Sequence, residues 1–215
     1  MDAHEGLGQL FTHVDMEALS ISQKENWILE WEPIKESFST VVRRWKCCPA
    51  CGAEQEMEPA AFRMVSVPVV ADLTQAIGDF FGGESSEMMF DCGDGPGRCG
   101  FSSDENVAVN LRFSVDSRPA VLCVQVKRYS YHAGGPRRDG SEVQVPGRLD
   151  FEGGAYVLSS FIEHIGQSAR SGHYVSFYRC DSTWMRGDDR VCSPVSSDFA
   201  MLCAKGACIF FYVRL

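Results

Sequence analysis

The spacing of apolar residues separates a helical N-terminal region from a long run of strands. Within residues 2–30 the apolar positions recur at near-helical spacing, at Leu7, Leu10, Phe11, Val14 and Leu19. From Phe38 onward the apolar residues alternate or form short continuous runs, which is typical of strands. An order of helices first and strands later predicts an α+β domain dominated by antiparallel sheet.

The strand region is interrupted by one helix candidate and by turns rich in glycine and proline. Residues 72–81 begin with an acidic N-cap candidate, Asp72, and Gly82 and Gly83 end the segment. The stretch 91–99 holds three interior glycines and a proline, which predicts a turn. The predicted strands are 38–45, 62–67, 107–113, 120–129, 142–145, 155–162, 173–180, 183–186, 190–192 and 207–213.

Composition narrows the class of protein and of partner. Hydrophobic residues make up 45% and charged residues 23% of the 215 positions, which is ordinary for a globular domain. The net charge of -9 argues against a nucleic-acid partner, because such binding needs basic side chains that displace phosphate counterions. The longest apolar run near the end, 207–213, is far shorter than a membrane-spanning helix, so no membrane partner is expected. No secretory signal is visible, which predicts a cytoplasmic or nuclear protein with reduced cysteines.

Two pairs among the ten cysteines have the spacing of a metal site. Cys48 and Cys51 are separated by two residues and followed by a glycine, which lets two thiolates meet one tetrahedral zinc ion. Cys92 and Cys99 flank the glycine-rich turn and form a looser second pair. The sequence predicts one structural zinc held by these four thiolates. Cys47 is an alternative ligand, and unligated thiols on turns are the alternative interpretation.

A histidine and an acid are predicted to meet on one hairpin. If residues 181–182 form a two-residue turn, Asp188 lies on the same sheet face as His173, one diagonal step away. Asp189 would pair with Tyr174 and point to the other face, although a slip of one residue would exchange the two acids. An acid that holds one imidazole nitrogen leaves the other nitrogen as a base. No serine or cysteine in the chain has a recognisable nucleophile setting.

At these residues the chain resembles the ubiquitin-specific proteases, the papain-like cysteine deubiquitinases. Gly172-His173-Tyr174, with Trp184 and Asp188 after it, resembles the family's histidine box and third catalytic residue. Four other landmarks come in the family's order. Asp2–Glu5 resembles the motif that follows the family's cysteine box, and the two cysteine pairs fall where the family's fingers often bind zinc. Val121–Tyr129 resembles the strand before the histidine box, and Phe210–Arg214 resembles the end of the domain.

The resemblance implies a fold of three parts. Residues 1–37 would be a helical remnant of the thumb, 38–115 zinc-ribbon-like fingers with the cysteine knuckles, and 116–215 a mainly antiparallel palm. The family's nucleophilic cysteine loop should precede Asp2, so the papain-like fold is expected to be incomplete. Gly187 departs from the family, which commonly has an aromatic residue before the acid.

The resemblance also assigns roles to single residues. It implies that His173 is the base and that Asp188 orients it. Three further residues are expected to bind substrate: Asp2, His164 and Tyr174.

Three functional hypotheses follow. The first is a portion of a deubiquitinase that hydrolyses ubiquitin C-terminal (iso)peptide bonds, supplying base and acid but no nucleophile, and inactive alone. The second is a non-catalytic ubiquitin-binding or scaffolding pseudo-deubiquitinase. In both, the partner is ubiquitin or a ubiquitinated protein. The third is a zinc-stabilised β domain with an unrelated binding role.

Overall fold

The computed structural model describes residues 37–215 apart from 133–134 and 169–170, together with Leu7 and Gln9. The helices predicted within 2–30, the thumb remnant 1–37 and Asp2 therefore lie almost wholly outside the described residues. Within the described part, no helix is long and apolar enough to span a membrane.

A small four-stranded sheet carries the cysteines predicted to bind metal. Its strands lie in the order β2–β1–β5–β4, and every neighbouring pair is antiparallel. Their bounds are β1 Thr40–Cys47, β2 Glu54–Phe62, β4 Glu84–Met88 and β5 Val107–Ser117. The predicted strand 62–67 is split, because β2 ends at Phe62 and β3, Val65–Val67, joins another sheet.

The main sheet has eight strands and follows the order β13–β12–β11–β10–β14–β6–β3, with β9 also paired to β10. The bounds are β6 Val121–Val126, β9 Arg148–Phe151, β10 Gly154–Ser168, β11 Ser171–Cys180, β12 Thr183–Asp188, β13 Val191–Val195 and β14 Ile209–Arg214. A separate hairpin pairs β7, Tyr129–His132, with β8, Gly135–Arg138. The mainly antiparallel α+β architecture predicted from the sequence is confirmed.

The largest apolar cluster lies on one face of the main sheet and is rich in aromatic rings. Phe161 of β10 stacks on Phe177 of β11 with centroids 4.7 Å apart, and Trp184 of β12 lies 5.6 Å from Phe161. Trp184 is 1% exposed and lies in β12, four residues before Asp188. The strand that carries Asp188 is therefore anchored in the core. Burial of these rings fixes which face of β11 and β12 points inward.

The predicted helix at 72–81 is confirmed as α1, Leu73–Phe81. The side chain of Asp72 accepts hydrogen bonds from the backbone N–H groups of Thr74 and Gln75 at 2.7 and 3.1 Å, which makes it the N-cap. Apolar residues at helical spacing face the core: Leu73, Ala76, Ile77 and Phe81. Strand β3 and α1 lie within 38–115, yet β3 pairs with β6 of the main sheet. A single boundary at 115 therefore does not separate the two sheets.

A second helix was not predicted from the sequence. It is α2, Ser197–Ala204, capped by Ser196, whose hydroxyl accepts from the N–H of Phe199 at 3.2 Å. Apolar residues occupy all sides of this short segment, so it lacks the periodicity that marks an amphipathic helix. Conversely, the strand predicted at 142–145 is reduced to one isolated bridge from Gln144 to Asp72.

Arg128 joins two loops, one around Ser141 and one at 205–207. It is 1% exposed, and its guanidinium donates to the backbone carbonyls of Ala207, Ser141 and Lys205 at 2.8, 2.7 and 2.6 Å. These carbonyls belong to irregular segments outside the strands, and Arg128 provides each of them with a hydrogen-bond donor. The predicted strand 120–129 ends earlier, at Val126, because Arg128 turns inward to make these bonds.

Candidate functional site

The hairpin β11–β12 places the histidine and the acid. Cys180 pairs with Thr183, so residues 181–182 form the predicted two-residue turn, and Asp181 takes the positive φ of 53° that such turns require. The antiparallel register then runs without a bulge to Ser176 opposite Gly187. The predicted turn and register are confirmed.

His173 and Asp188 are joined by a hydrogen bond. The Nε2–H group of His173 donates to Oδ1 of Asp188 at 2.5 Å. Since this bond engages Nε2, the nitrogen that would exchange a proton with a nucleophile is Nδ1. The predicted contact between these two side chains is therefore present, and their catalytic roles stay a prediction.

The charges around the pair favour its ionised form. The hydrogen bond to Asp188 raises the pKa of His173 above its usual value, and the charges of Asp188 and Asp189 add to this. The same bond lowers the pKa of Asp188, and Arg186 lowers it further. Arg186 opposes the rise at His173, since it is a second cation close by.

Asp189 does not point away from the pair as predicted. Strand β12 ends at Asp188, which already pairs with Val191 of β13, so Asp189 belongs to the connecting turn. Its φ of 52° breaks the alternation of faces on which the prediction relied. One imidazole nitrogen of His173 and one carboxylate oxygen each of Asp188 and Asp189 all lie within 4.8 Å of one another. The predicted orientation of Asp189 is wrong, and its carboxylate contributes charge to the site.

We expect the two acids to differ in their effect on His173, and this can be measured by NMR titration. Asp188→Asn removes both the charge and the anionic acceptor of the hydrogen bond, so the pKa of His173 should fall clearly. Asp189→Asn removes a charge that acts without a hydrogen bond, so its effect should be smaller in the same direction. An equal or larger fall in Asp189→Asn would contradict this assignment of the acid.

His164 is buried beside the hairpin. Its side chain is 3% exposed, and Nδ1 is hydrogen-bonded to the hydroxyl of Tyr129. The ring of Tyr174 lies 4.6 Å from the His164 ring and packs on an apolar cluster that includes Ile209. His164 is thus buried and Tyr174 half-buried, and the substrate contacts expected for both residues stay predictions.

Gly172 makes room for the buried imidazole of His164 next to His173. A Cβ atom at position 172 would overlap Nε2 and Cε1 of His164, far inside van der Waals contact. The small residue in the Gly-His-Tyr motif is thus required by the packing of a second histidine. This is a physical reason for the motif that the sequence alone did not provide.

Gly172→Ala is expected to lower the free energy of unfolding by about 2 kcal/mol or more, because neither backbone nor imidazole can give way without loss of packing. Chemical denaturation would measure the change. Gly78→Ala is the matched control, since its added Cβ meets nothing within 4 Å and it lies in α1. That control should be neutral or stabilising by up to about 1 kcal/mol. Equal stability of the two variants would contradict the role of Gly172.

The four predicted cysteines converge at the end of the small sheet. Cys48 and Cys99 have sulfurs 3.7 Å apart, and Cys51 and Cys92 have sulfurs 3.8 Å apart. Zinc–sulfur bonds of about 2.3 Å in a tetrahedron place sulfurs about 3.8 Å apart, so these separations fit one ion. All four sulfurs lie within 4.8 Å of one another, and Cys47 is not part of the group.

Backbone turns explain why the cysteines meet. The N–H of Gly52 donates to the carbonyl of Cys48 at 2.8 Å, and the positive φ of 74° at Gly52 closes this knuckle. On the other side the N–H of Cys92 donates to the carbonyl of Phe101 at 2.8 Å, which draws the glycine-rich turn together. These turns bring the four sulfurs into an arrangement that is compatible with one zinc ion.

Arg186 is a component of the site that the sequence analysis missed. It lies two residues before Asp188 on the same strand, so both side chains point to the same face. Its Nη2 atom is 2.7 Å from Oδ2 of Asp188. Side chains of a strand alternate between its two faces, so the predicted register of β12 could have identified Arg186 as a neighbour of Asp188.

Comparison with known proteins agrees with this geometry. The family model described as ubiquitin carboxyl-terminal hydrolase matches residues 1–212. This chain belongs to that family. It is a member of the ubiquitin-specific proteases, as its resemblance to them had indicated.

Individual relatives of this ubiquitin-specific protease are distant in sequence. Ubiquitin carboxyl-terminal hydrolase 36 of Drosophila virilis is 23% identical over 232 residues, which cover 98% of this chain and 18% of the relative. Ubiquitin carboxyl-terminal hydrolase 11 of Schizosaccharomyces pombe is 30% identical over 95 residues, covering 44% of this chain and 27% of the relative. The chain thus spans only a minor part of these relatives.

Solved structures show the same fold. The SAGA Ubp8/Sgf11/Sus1/Sgf73 DUB module bound to ubiquitin aldehyde contains a chain with a TM-score of 0.81 and 18% identity. That match covers 100% of this chain and 49% of the solved one. A variant of the same SAGA DUB module, bound to monoubiquitin, matches with a TM-score of 0.72, 19% identity and coverages of 85% and 42%. This chain therefore has the fold of about half of the solved chain.

Proposed function

We propose that this chain is the part of a deubiquitinase that supplies the base and the orienting acid for thiol-dependent hydrolysis of ubiquitin C-terminal (iso)peptide bonds. The observation that carries the proposal is the hydrogen bond between His173 and Asp188 within the histidine box of a ubiquitin-specific protease. A binding-only module would not need this geometry, so the site favours an enzyme over a scaffold.

The proposed chemistry assigns one step to each group. His173 takes the proton of a cysteine thiol through Nδ1, and the thiolate attacks the carbonyl carbon at the C-terminus of ubiquitin. Asp188 keeps the imidazole oriented and stabilises its protonated form. His173 then returns the proton to the leaving amine, and water releases ubiquitin from the enzyme in a second step.

The thiol is proposed to come from a segment other than the residues described. Four cysteines are committed to the cluster on the small sheet. Cys123 of β6 and Cys208, just before β14, are buried, and burial raises the pKa of Cys123 to about 12, which makes it a poor nucleophile. The family resemblance places the nucleophilic loop immediately before Asp2.

A ubiquitin with an electrophile at its C-terminus tests the proposal. The chain alone should form no covalent adduct, since removal of the nucleophile costs several orders of magnitude in rate. A fusion that carries the family's cysteine loop before Asp2 should form the adduct and cleave a fluorogenic ubiquitin substrate. An adduct on any cysteine of the chain alone would contradict the missing nucleophile. A folded fusion that binds ubiquitin but never reacts would favour the scaffold function.

We further propose the family's subdivision for this chain. The small sheet, largely within 38–115, would act as fingers that hold zinc through Cys48, Cys51, Cys92 and Cys99. The main sheet, whose strands other than β3 lie within 116–215, would act as the palm. Sulfur separations of 3.7 and 3.8 Å support the metal, and the reduced cysteines suit a cytoplasmic or nuclear location. Ubiquitin is the proposed partner, because two of the solved family structures are bound to ubiquitin or ubiquitin aldehyde.

A further inference from the structure

We propose that Arg186 is a positioning residue of this site, which holds the carboxylate of Asp188 so that it faces His173. The proposal rests on the function proposed above for the pair. Arg186 does not act on the substrate in this proposal, and its effect on the reaction passes through Asp188.

The two oxygens of Asp188 have different partners. Oδ1 accepts from Nε2 of His173 at 2.5 Å, and Oδ2 lies 2.7 Å from Nη2 of Arg186. A carboxylate held at one oxygen can rotate about its terminal torsion, whereas one held at both oxygens has a fixed plane. The ion pair therefore fixes the orientation of the acceptor that His173 uses.

Arg186 is itself placed by the core. It lies opposite Phe177, which is 1% exposed, and two residues after the buried Trp184. The side chains of Arg186 and Asp188 are each 29% exposed, so water competes with their contact less than at an open surface. These buried neighbours fix the backbone position from which the side chain of Arg186 extends, as a positioning role requires.

A second carboxylate, that of Glu163, feels the charge of Arg186 less than that of Arg138. Burial raises the pKa of Glu163 on β10, and the charge of Arg138 counters this more than the charge of Arg186 does. Arg138 also donates to the carbonyl of Gly206 at 3.0 Å, which keeps it near Glu163. Among the ion pairs of the described residues, Arg186 is paired with Asp188 and not with Glu163.

Loss of Arg186 would act on His173 in two opposite ways. Removing a positive charge alone would raise the pKa of His173, since Arg186 lowers it now. Releasing the carboxylate would weaken the hydrogen bond from His173, which is the largest cause of its raised pKa, and would lower that pKa. The largest effects of neighbouring charges on the pKa of His173 come from Asp188, Asp189 and Arg186. The sign of the change thus separates positioning from a pure charge effect.

The test is an NMR pH titration of His173 in the full chain, which needs no turnover. We expect Arg186→Gln to lower the pKa of His173 and Arg186→Lys to retain it, because lysine keeps a cation that can reach Oδ2. Arg190→Gln is the control of equal charge change, since Arg190 lies in the adjacent turn and forms no ion pair with Asp188 among the described residues. An unchanged or raised pKa in Arg186→Gln, or an equal fall in Arg190→Gln, would overturn the proposal.

A double variant and a rate measurement complete the test. In an Asp188→Asn background, Arg186→Gln should lower the pKa of His173 no further, since it acts through Asp188. In the fusion with the cysteine loop, Arg186→Gln should reduce kcat about tenfold or more with little change in KM, because a misplaced group costs mainly rate. An inactive fusion would remove the proposed function, and the titration would still decide the role of Arg186.

Discussion

Replacing His173 with glutamine is expected to reduce kcat/KM at least about a hundredfold in a form of this protease that carries the cysteine loop, as general-base roles of this kind do. Glutamine can still donate a hydrogen bond to Asp188, so the hairpin should stay folded. It cannot accept and return the thiol proton, which Nδ1 of His173 is placed to do. Steady-state rates with a fluorogenic ubiquitin substrate would measure the loss.

The binding of ubiquitin provides the control for this variant. Affinity for intact ubiquitin should change little in His173→Gln, because the expected loss concerns the chemical step. The free energy of unfolding should likewise stay within about 0.5 kcal/mol of the parent, since the side chain is 43% exposed. Retention of more than a tenth of the parent rate would show that another group acts as the base.

Removing the metal is expected to unfold the end of the small sheet. The apolar cluster there is small, with four buried residues, Cys48, Phe90, Cys92 and Val109. Two of them are proposed ligands, so without a metal the region loses its cross-link and exposes buried thiols. Structural zinc contributes ~10–16 kcal/mol in small zinc-binding peptides, which is far more than such a cluster can supply.

Metal analysis and hydrogen exchange would test this expectation. The purified chain should contain about one equivalent of zinc, as a single four-thiolate site requires. Cys51→Ser should lose the metal and the exchange protection of β4 and β5 near the cluster, while the main sheet stays protected. Cys180→Ser is the matched control, because Cys180 is exposed and lies outside the cluster. A metal-free chain with full protection at the cluster would rule the site out.

The parts of the fold that could be predicted from sequence are those set by local chemistry. Asp72 marked the start of α1 because an aspartate cap acts within three residues. The turn at 181–182 was predictable for the same reason, and it determined the meeting of His173 and Asp188. The CxxC knuckle was equally local, and only the choice between Cys47 and Cys48 needed the folded chain.

The features that were predicted wrongly or not at all are those where tertiary contacts override local signals. Asp189 was assigned to a continuing strand, but pairing of β12 with β13 ends the strand at Asp188 and turns the chain. Helix α2 is specified by burial of Ala200 and Ala204 against other elements, which a segment apolar on all sides does not reveal. The burial of His164 depends on Tyr129, 35 positions earlier in the chain, and no local pattern reports such a contact.

The confinement of His173 and Asp188 to one hairpin determines which length changes the site tolerates. The two residues are 15 positions apart, and only the turn at 181–182 lies between their strands. Insertions in the other connections of the main sheet leave the alignment of these two strands untouched. One residue added between Cys180 and Thr183 without a compensating bulge shifts the pairing by one and moves Asp188 to the opposite face. We therefore expect length variation to be accepted in the other connections of the main sheet. At this turn, added residues must keep His173 and Asp188 on the same face of the sheet.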